Sequence, residues 1–167
     1  MATVTTSTVN EYPLIDKPSM AKINALHPKV REEVKKIVQE INTILTGKAK
    51  VRIAQGLRTF AEQDKLYNQK PKVTNAKGGQ SVHNYGFAVD IVLIIDGKTA
   101  SWDTKKDWDN DQVHDWDECV KVFAKYGWNW GGNWHSFKDM PHFDKIGFSN
   151  WKVLRNYKRD KDNYIII

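Results

Sequence analysis

The sequence predicts an α+β domain in which a small antiparallel sheet packs against helices. Apolar residues recur at helical spacing in two segments, 28–47 and 113–127. Two other segments, 51–54 and 87–95, have the alternating or β-rich composition of strands. Asp96-Gly97 directly follows the second of these and is a hairpin turn signal, which favours antiparallel pairing with the residues after it.

Length and composition predict a single globular domain. The chain has 167 residues, of which 40% are hydrophobic and 11% aromatic, and a chain of this size buries about two thirds of its surface. Residues 1–25 are expected to form an N-terminal arm, because their first part is rich in Thr and Ser and contains Pro13 and Pro18. Residues 26–167 then form the domain. The only cysteine, Cys119, excludes an intramolecular disulfide and is expected to be a buried apolar residue.

The first predicted helix of the domain begins at Pro28 and ends before Gly47. Proline is favoured in the first turn of a helix because its missing N–H would have no partner there. One face is apolar and is expected to lie in the core; it consists of Val30, Val34, Ile37, Val38, Ile41, Ile44 and Leu45.

The next segment predicts a strand, a short helix and a loop. Val51 to Ala54 alternate as in a strand, and Arg58 follows at its exit. Thr59 and Glu62 have the spacing of a capping box and begin a helix that continues to about Gln69. Residues 70–82 contain small residues and a proline, which is typical of a loop that a ligand can approach closely.

The last third predicts a helix, a strand and a terminal helix. The helix has apolar positions from Val113 to Ala124 and ends at Gly127. A strand is predicted over 142–146, and Ser149-Asn-Trp151 begins the terminal helix. Three histidines outside any motif are expected at the surface: His27, His114 and His135.

Two short motifs predict a metal site. His83, Asp90 and His142 are a two-histidine, one-carboxylate set, which can hold Zn²⁺ and leave a position open for water. His83 and Asp90 are seven residues apart and would face opposite sides of an unbroken strand, so Gly86 between them is expected to bend the chain. Asp139 precedes His142 by three residues and is placed to accept a proton from water. Either motif alone is far more often found in a protein that binds no metal there.

Together with their neighbours, these motifs resemble a known family. The stretches concerned are Ala54-Gln-Gly-Leu-Arg58-Thr, residues 73–80, Ser81-Val-His83-Asn-Tyr-Gly86-Phe-Ala-Val-Asp90 and residues 130–143. They resemble the zinc metallopeptidases of the D-Ala-D-Ala dipeptidase and carboxypeptidase type, with a hedgehog-type fold. Within that family the sequence is most similar to the L-alanyl-D-glutamate endopeptidases that bacteriophages use as endolysins.

The resemblance implies roles for individual residues. Zn²⁺ would be the cofactor, bound by His83, Asp90 and His142. Asp139 would be the general base, and Arg58 would stabilise the developing oxyanion or position the substrate. Substrate contacts are expected from three further residues, namely Ser81, Tyr85 and Trp134. Asp144 is a candidate to accept the second N–H of a ligand histidine.

The resemblance and the composition also imply partners and a setting. The net charge of +6 suits approach to an anionic envelope, and no nucleic-acid-binding motif is present. We expect bacterial peptidoglycan as substrate, a monomer, and no separate wall-binding domain. The N-terminus has no secretory pattern, and no segment reaches the ~20 apolar residues of a membrane span. The expected location is therefore the host cytoplasm until lysis, when a separate pore-forming protein would open the way to the cell wall and periplasm.

Two alternative functions stay open at this point. A D-Ala-D-Ala carboxypeptidase or dipeptidase would share the metal and the base. A non-catalytic, zinc-dependent wall-binding module would share the fold but would not need Asp139 or Arg58.

An acidic segment predicts a second cation site. Its acids fall at positions 1, 3, 5, 9 and 12 of an EF-type calcium loop: Asp107, Asp109, Asp111, Asp115 and Glu118. Position 6, normally glycine, is Gln112. The segment is therefore either a Ca²⁺ site that regulates the enzyme or simply the acidic start of a helix.

Overall fold

The computed structural model describes residues 9–167. Within them the chain forms five α-helices and five strands. The helices are α1 (Lys17–Ala25), α2 (Pro28–Ile44), α3 (Phe60–Tyr67), α4 (Asp115–Lys125) and α5 (Trp151–Leu154). The strands are β1 (Ala49–Gln55), β2 (Ala88–Ile95), β3 (Thr99–Ser101), β4 (Trp128–Trp130) and β5 (His142–Lys145). The α+β class predicted from the sequence is confirmed.

The sheet is antiparallel, and β2 is its most deeply buried strand. The order is β1-β2-β5-β4, and the short β3 pairs with the end of β2 through the turn at Asp96-Gly97. All residues of β2 except Asp90 are buried, and Asp90 is half-buried. Helices α1 and α2 pack against β1, and α4 packs against β4. An otherwise apolar strand therefore carries one acidic side chain.

Several elements form where their local sequence predicts them. Helix α2 begins at Pro28 and buries Val30, Val34, Ile37, Val38 and Ile41. The capping box of α3 is present, because the Thr59 hydroxyl accepts from the Glu62 N–H while the Glu62 carboxylate accepts from the Thr59 N–H. Cys119 is fully buried, as expected.

The predicted N-terminal arm is wrong for residues 17–25, which form α1. Pro18 stands in the first turn of this helix, where proline is favoured, so it does not break the chain. The Asp16 carboxylate accepts from the Ser19 N–H and also from Arg52 Nε, at 2.6 Å, which ties the helix start to β1. Ile23 is fully buried. The part of the predicted arm at residues 1–8 lies outside the described residues.

Two further features were not predicted. Trp128–Trp130 form the edge strand β4, which pairs with β5. His27, expected at the surface, is buried; its Nε2 bonds the Ile165 carbonyl at 2.8 Å and its ring stacks on Phe87. The C-terminal segment therefore packs onto the domain through His27, a contact that no local pattern indicates.

Gly86 bends the chain between the first two candidate ligands. Residues Val82–Tyr85 form a single 3₁₀ turn, and Gly86 ends it in the left-handed region with φ of 78°. A Cβ at Gly86 would also lie 2.4 Å from the His27 nitrogen, so a larger residue would displace the backbone beside it. The prediction of a bend at this glycine is confirmed.

Replacing Gly86 by alanine is expected to lower the free energy of unfolding. The variant would combine backbone strain with a backbone clash, whereas Gly97→Ala has a similar φ of 69° and open space around its Cβ. Urea unfolding should therefore find Gly86→Ala less stable than Gly97→Ala by about 1–3 kcal/mol. Equal stability of the two variants would contradict the structural account of Gly86.

Candidate metal centre

His83, Asp90 and His142 converge at one end of the β2–β5 pair. Asp90 and His142 are directly opposite each other in the antiparallel ladder, so their side chains share one face. His83 reaches the same point from the 3₁₀ turn before β2. Asp90 Oδ1 lies 3.3 Å from His83 Nε2 and 3.4 Å from His142 Nδ1. The three predicted ligands therefore form one cluster that could hold a metal ion.

The outer nitrogen of His83 is held by the backbone. Nδ1 lies 2.8 Å from the Gly56 carbonyl oxygen, which can only accept, so Nδ1 carries the proton and donates it. The lone pair of Nε2 is thereby directed toward Asp90. This arrangement fixes the tautomer that a metal ligand requires.

The outer nitrogen of His142 is held by Asp144, as anticipated. His142 Nε2 lies 2.9 Å from Asp144 Oδ2. Burial lowers the pKa of His142, but its bonds to Asp144 and Asp90 outweigh burial and raise the pKa to about 9. The same pairing, against the opposing effect of burial, holds the pKa of Asp144 below its usual range. Asp90 and Asp144 thus favour positive charge at His142, and a metal cation can take the place of the proton on His142 Nδ1.

The donor set fits a zinc ion. Ligand atoms on tetrahedral Zn²⁺ with bonds of about 2.0 Å lie ~3.3 Å apart, which matches the two separations measured from Asp90 Oδ1. That oxygen is buried and accepts no hydrogen bond from residues 9–167. Burial raises the pKa of Asp90, yet the two histidines lower it well below the usual value, so the carboxylate is ionised.

Asp139 lies beside this cluster and lines the same cleft. Burial raises the pKa of its carboxyl and the charge of Asp90 raises it further, while the two histidines and Arg58 act in the opposite direction. Its backbone is held closely by Gly131, because the Asp139 N–H donates to the Gly131 carbonyl and a Cβ on that glycine would lie 2.3 Å from the Asp139 carbonyl oxygen. A carboxylate with a raised pKa next to the ligands is suited to proton transfer.

Arg58 reaches the cluster from the exit of β1. Its Nη2 lies 4.0 Å from Asp90 Oδ2, and its Nη1 donates to the Gln63 side chain at 2.9 Å. Its backbone is bonded to the ligand turn, because the Arg58 N–H donates to the His83 carbonyl and Asn84 Nδ2 donates to the Arg58 carbonyl. The guanidinium is therefore fixed relative to His83.

The cleft in front of the cluster has a volume of about 770 Å³. Ser81 and Trp134 line it, and the Trp134 ring lies 5.1 Å from that of His142. The Ser81 hydroxyl accepts from the His83 N–H, so this side chain orients the ligand turn. Tyr85, predicted to contact substrate, does not line this cleft: it is buried, and its hydroxyl donates to the Gly79 carbonyl.

The sequence did not indicate four supporting residues. Asn129 and Ser149 both donate to Asp144 Oδ1, at 3.0 and 2.5 Å, and hold the carboxylate against His142. Gln63 and Asn84 hold Arg58. Asn84 directly follows His83 in the ligand turn, whereas Gln63, Asn129 and Ser149 lie on other segments, and only the three-dimensional structure brings those three to the site.

The five acids of the predicted calcium segment also converge, away from this centre. They form two overlapping groups that share Asp109: one with Asp107 and Asp115, the other with Asp111 and Glu118. The entering helix of an EF-hand is absent, because β3 and a loop precede the segment within the described chain. Helix α4 supplies the exiting helix.

The sheet, the three convergent ligands and the neighbouring carboxylate are typical of metallopeptidases. Residues 74–145 match the model of a peptidase family described as D-alanyl-D-alanine carboxypeptidase. This segment includes His83, Asp90, Asp139 and His142 but not Arg58.

Two individual proteins are similar to the chain. The peptidoglycan L-alanyl-D-glutamate endopeptidase CwlK of Bacillus subtilis (strain 168) is 43% identical over 101 residues, which are 58% of this chain and 60% of CwlK. The crystal structure of the L-Ala D-Glu endopeptidase ChiX of Serratia marcescens aligns with a TM-score of 0.51 over 83% of this chain and 96% of ChiX, at 19% identity. The structural likeness confirms the fold. Among residues 9–167, no helix has the length and apolar character needed to cross a membrane.

Asp144→Asn is expected to weaken metal binding without removing a ligand. The neutral amide is a poorer acceptor for His142 Nε2, and its NH₂ group would face donors that now point at a carboxylate. Changes of this kind typically lower metal affinity about 10–100-fold. Competition with a chromogenic chelator measures the affinity, and Asp103→Asn, at an exposed site, is the control. An unchanged affinity in Asp144→Asn would show that this carboxylate does not support the ligand.

Proposed function

We propose that this protein is a zinc-dependent endopeptidase that cleaves the L-alanyl–D-glutamate bond of peptidoglycan stem peptides. The observation that carries the proposal is the convergence of His83, Asp90 and His142 beside Asp139 and Arg58 in one open cleft. The choice of bond is supported by the names of CwlK and ChiX, both described as L-Ala-D-Glu endopeptidases. The chain spans about 60% of the length of CwlK.

His83, Asp90 and His142 would hold the ion through Nε2, Oδ1 and Nδ1. When bound there, Zn²⁺ lowers the pKa of water from 15.7 toward ~7 and polarises the scissile carbonyl. Asp139 accepts the proton of the attacking water and returns it to the leaving amine nitrogen, acting first as base and then as acid. Its raised pKa favours the second transfer.

Arg58 supplies fixed positive charge on the wall of the cleft. Burial lowers the pKa of its guanidinium, but Asp90, Glu62 and Asp139 oppose that effect, so the group stays charged. In the proposed reaction its planar fork donates either to the oxyanion that develops on the scissile carbonyl or to the D-glutamyl carboxylate of the substrate. Lys72 also lines the cleft and adds a second cation for an acidic peptide.

Asp139→Asn is expected to retain the fold and the metal but to lose turnover about 10²–10⁴-fold, because an amide cannot accept the proton. Arg58→Ala is expected to lower turnover while metal content stays constant. Rates on purified cell walls and metal analysis of the same samples test both, with Asp103→Asn as the matched control. Near-normal turnover of Asp139→Asn would exclude it as the base, and metal loss in Arg58→Ala would assign Arg58 a structural role.

The bond cleaved is tested by digesting stripped cell walls with and without a chelator. A new N-terminal D-glutamate that appears only with bound metal supports the proposal. Released D-alanine would instead favour a D-Ala-D-Ala carboxypeptidase, in line with the description of the matching family model. Binding to walls without any new amino terminus would favour a non-catalytic module. Such a module would not need Asp139 or Arg58.

We propose further that the enzyme acts in bacteriophage lysis, staying in the host cytoplasm until a pore-forming protein gives it access to the wall. This role is supported by the resemblance of the motifs to phage endolysins, and the net charge of +6 suits an anionic envelope. Expression in bacteria with and without a co-expressed pore former tests it through culture turbidity. Rapid lysis only in the presence of the pore former is expected, and equal lysis without it would contradict the role.

A further inference from the structure

The acidic segment contains four carboxylate oxygens that are buried and have no hydrogen-bond partner within residues 9–167. They are Asp107 Oδ1, Asp109 Oδ1, Asp115 Oδ2 and Glu118 Oε2. Asp115 is completely buried and Glu118 is 8% exposed. A buried carboxylate oxygen without a donor costs free energy unless a cation or a proton compensates its charge. Four such oxygens on one short segment therefore require a common explanation.

In each of the three aspartates, the other carboxylate oxygen accepts a hydrogen bond, which holds the carboxylate in place. Asp115 Oδ1 accepts from the Trp108 N–H at 2.9 Å, and Asp107 Oδ2 accepts from the Gln112 N–H at 2.9 Å. Asp109 Oδ2 accepts from the Thr46 N–H and hydroxyl. These bonds hold three carboxylates in place, and each of the three offers an oxygen within 4.8 Å of the other two.

The distances within each group are short enough for its three carboxylates to bind one cation, and the shared Asp109 joins the two groups. Within each of the two overlapping groups, the ligand atoms all lie within 4.8 Å of one another. Oxygens bound to one Ca²⁺ at 2.3–2.6 Å are separated by at most about 5 Å. Gln112 takes φ of 74° at the position where an EF-type loop has glycine, so the loop reaches the required conformation despite that substitution.

We propose that Asp107, Asp109, Asp111, Asp115 and Glu118 bind a calcium ion at a site separate from the metal centre. The donors are all carboxylate oxygens, which suit a hard cation and lack the nitrogen or sulfur that zinc prefers. Calcium accepts six to eight oxygens in a flexible geometry, whereas Mg²⁺ requires a small octahedral shell and releases water reluctantly. The ion would neutralise like charges packed at the start of α4.

The charge state of the segment is consistent with this proposal. Burial raises the pKa of Glu118, and the neighbouring charges of Asp111, Asp109 and Asp115 raise it further, to about 7. The pKa of Asp115 is raised for the same reasons. The repulsion that these shifts express is what a bound dication would relieve.

The test uses the full-length protein with its first metal centre loaded with zinc. Calorimetric titration with CaCl₂ should find one site per chain, and a 100-fold excess over Kd should raise the thermal midpoint by roughly 5–10 °C. Asp109→Asn should lose most of this shift, yet without added calcium it should be at least as stable as the unchanged protein, because one repelling charge is gone. Its amide oxygen can still accept from Thr46.

Asp117→Asn is the matched control, because Asp117 is exposed on the same helix and lies outside both groups. It should bind calcium as the unchanged protein does. No heat and no shift of the midpoint up to about 10 mM calcium, well above the ~10⁻³ M of weak protein sites, would overturn the proposal. Equal calcium binding by Asp109→Asn and Asp117→Asn would overturn it as well. Neither measurement depends on peptide hydrolysis, so the result is independent of the proposed activity.

Discussion

The antiparallel pairing of Asp90 with His142 is the constraint on which the site depends. It places a carboxylate and an imidazole face to face across β2 and β5, where β2 is otherwise apolar and both side chains lie largely inside the molecule. Burial makes unpaired charge costly, so each polar atom there needs a partner. The Gly56 carbonyl accepts from His83 Nδ1, and the Asp144 carboxylate pairs with His142 Nε2. Gly86 bends the chain so that His83 reaches the same point. Within residues 9–167, Asp90 Oδ1 has no hydrogen-bond partner, and it lies 3.3 Å and 3.4 Å from the ring nitrogens of His83 and His142.

Helix α4 connects the two acidic regions of the molecule. Its first turn carries Asp115 and Glu118, and the indole of the next residue, Trp116, donates to the Met140 carbonyl at 3.3 Å. Met140 lies between Asp139 and His142, and Trp130 donates to the same carbonyl. The helix start and the segment that carries the base and the last ligand are therefore in direct contact. The Trp116 side chain that links them is fully buried.

Local sequence predicted the elements whose cause is local. Periodicity predicted α2 and α4, the capping box predicted α3, and Asp96-Gly97 predicted the hairpin. The ligand residues could be selected because their chemistry and order resemble a known family, and Gly86 indicated how His83 and Asp90 meet. Local patterns failed where distant contacts decide. Pro18 favoured an extended arm, but it stands in the first turn of α1, where proline is tolerated. His27 is buried by a segment over a hundred residues away in the sequence. The Tyr85 hydroxyl donates to the Gly79 carbonyl and does not face the cleft.

The central claim is that His83, Asp90 and His142 together hold one zinc ion. Metal analysis of the purified protein and of His83→Ala, each shown to be folded by circular dichroism, tests it most directly. The account predicts one zinc per chain in the unchanged protein and its loss from His83→Ala, since two remaining ligands cannot hold the ion tightly. Full zinc occupancy in folded His83→Ala would contradict the account.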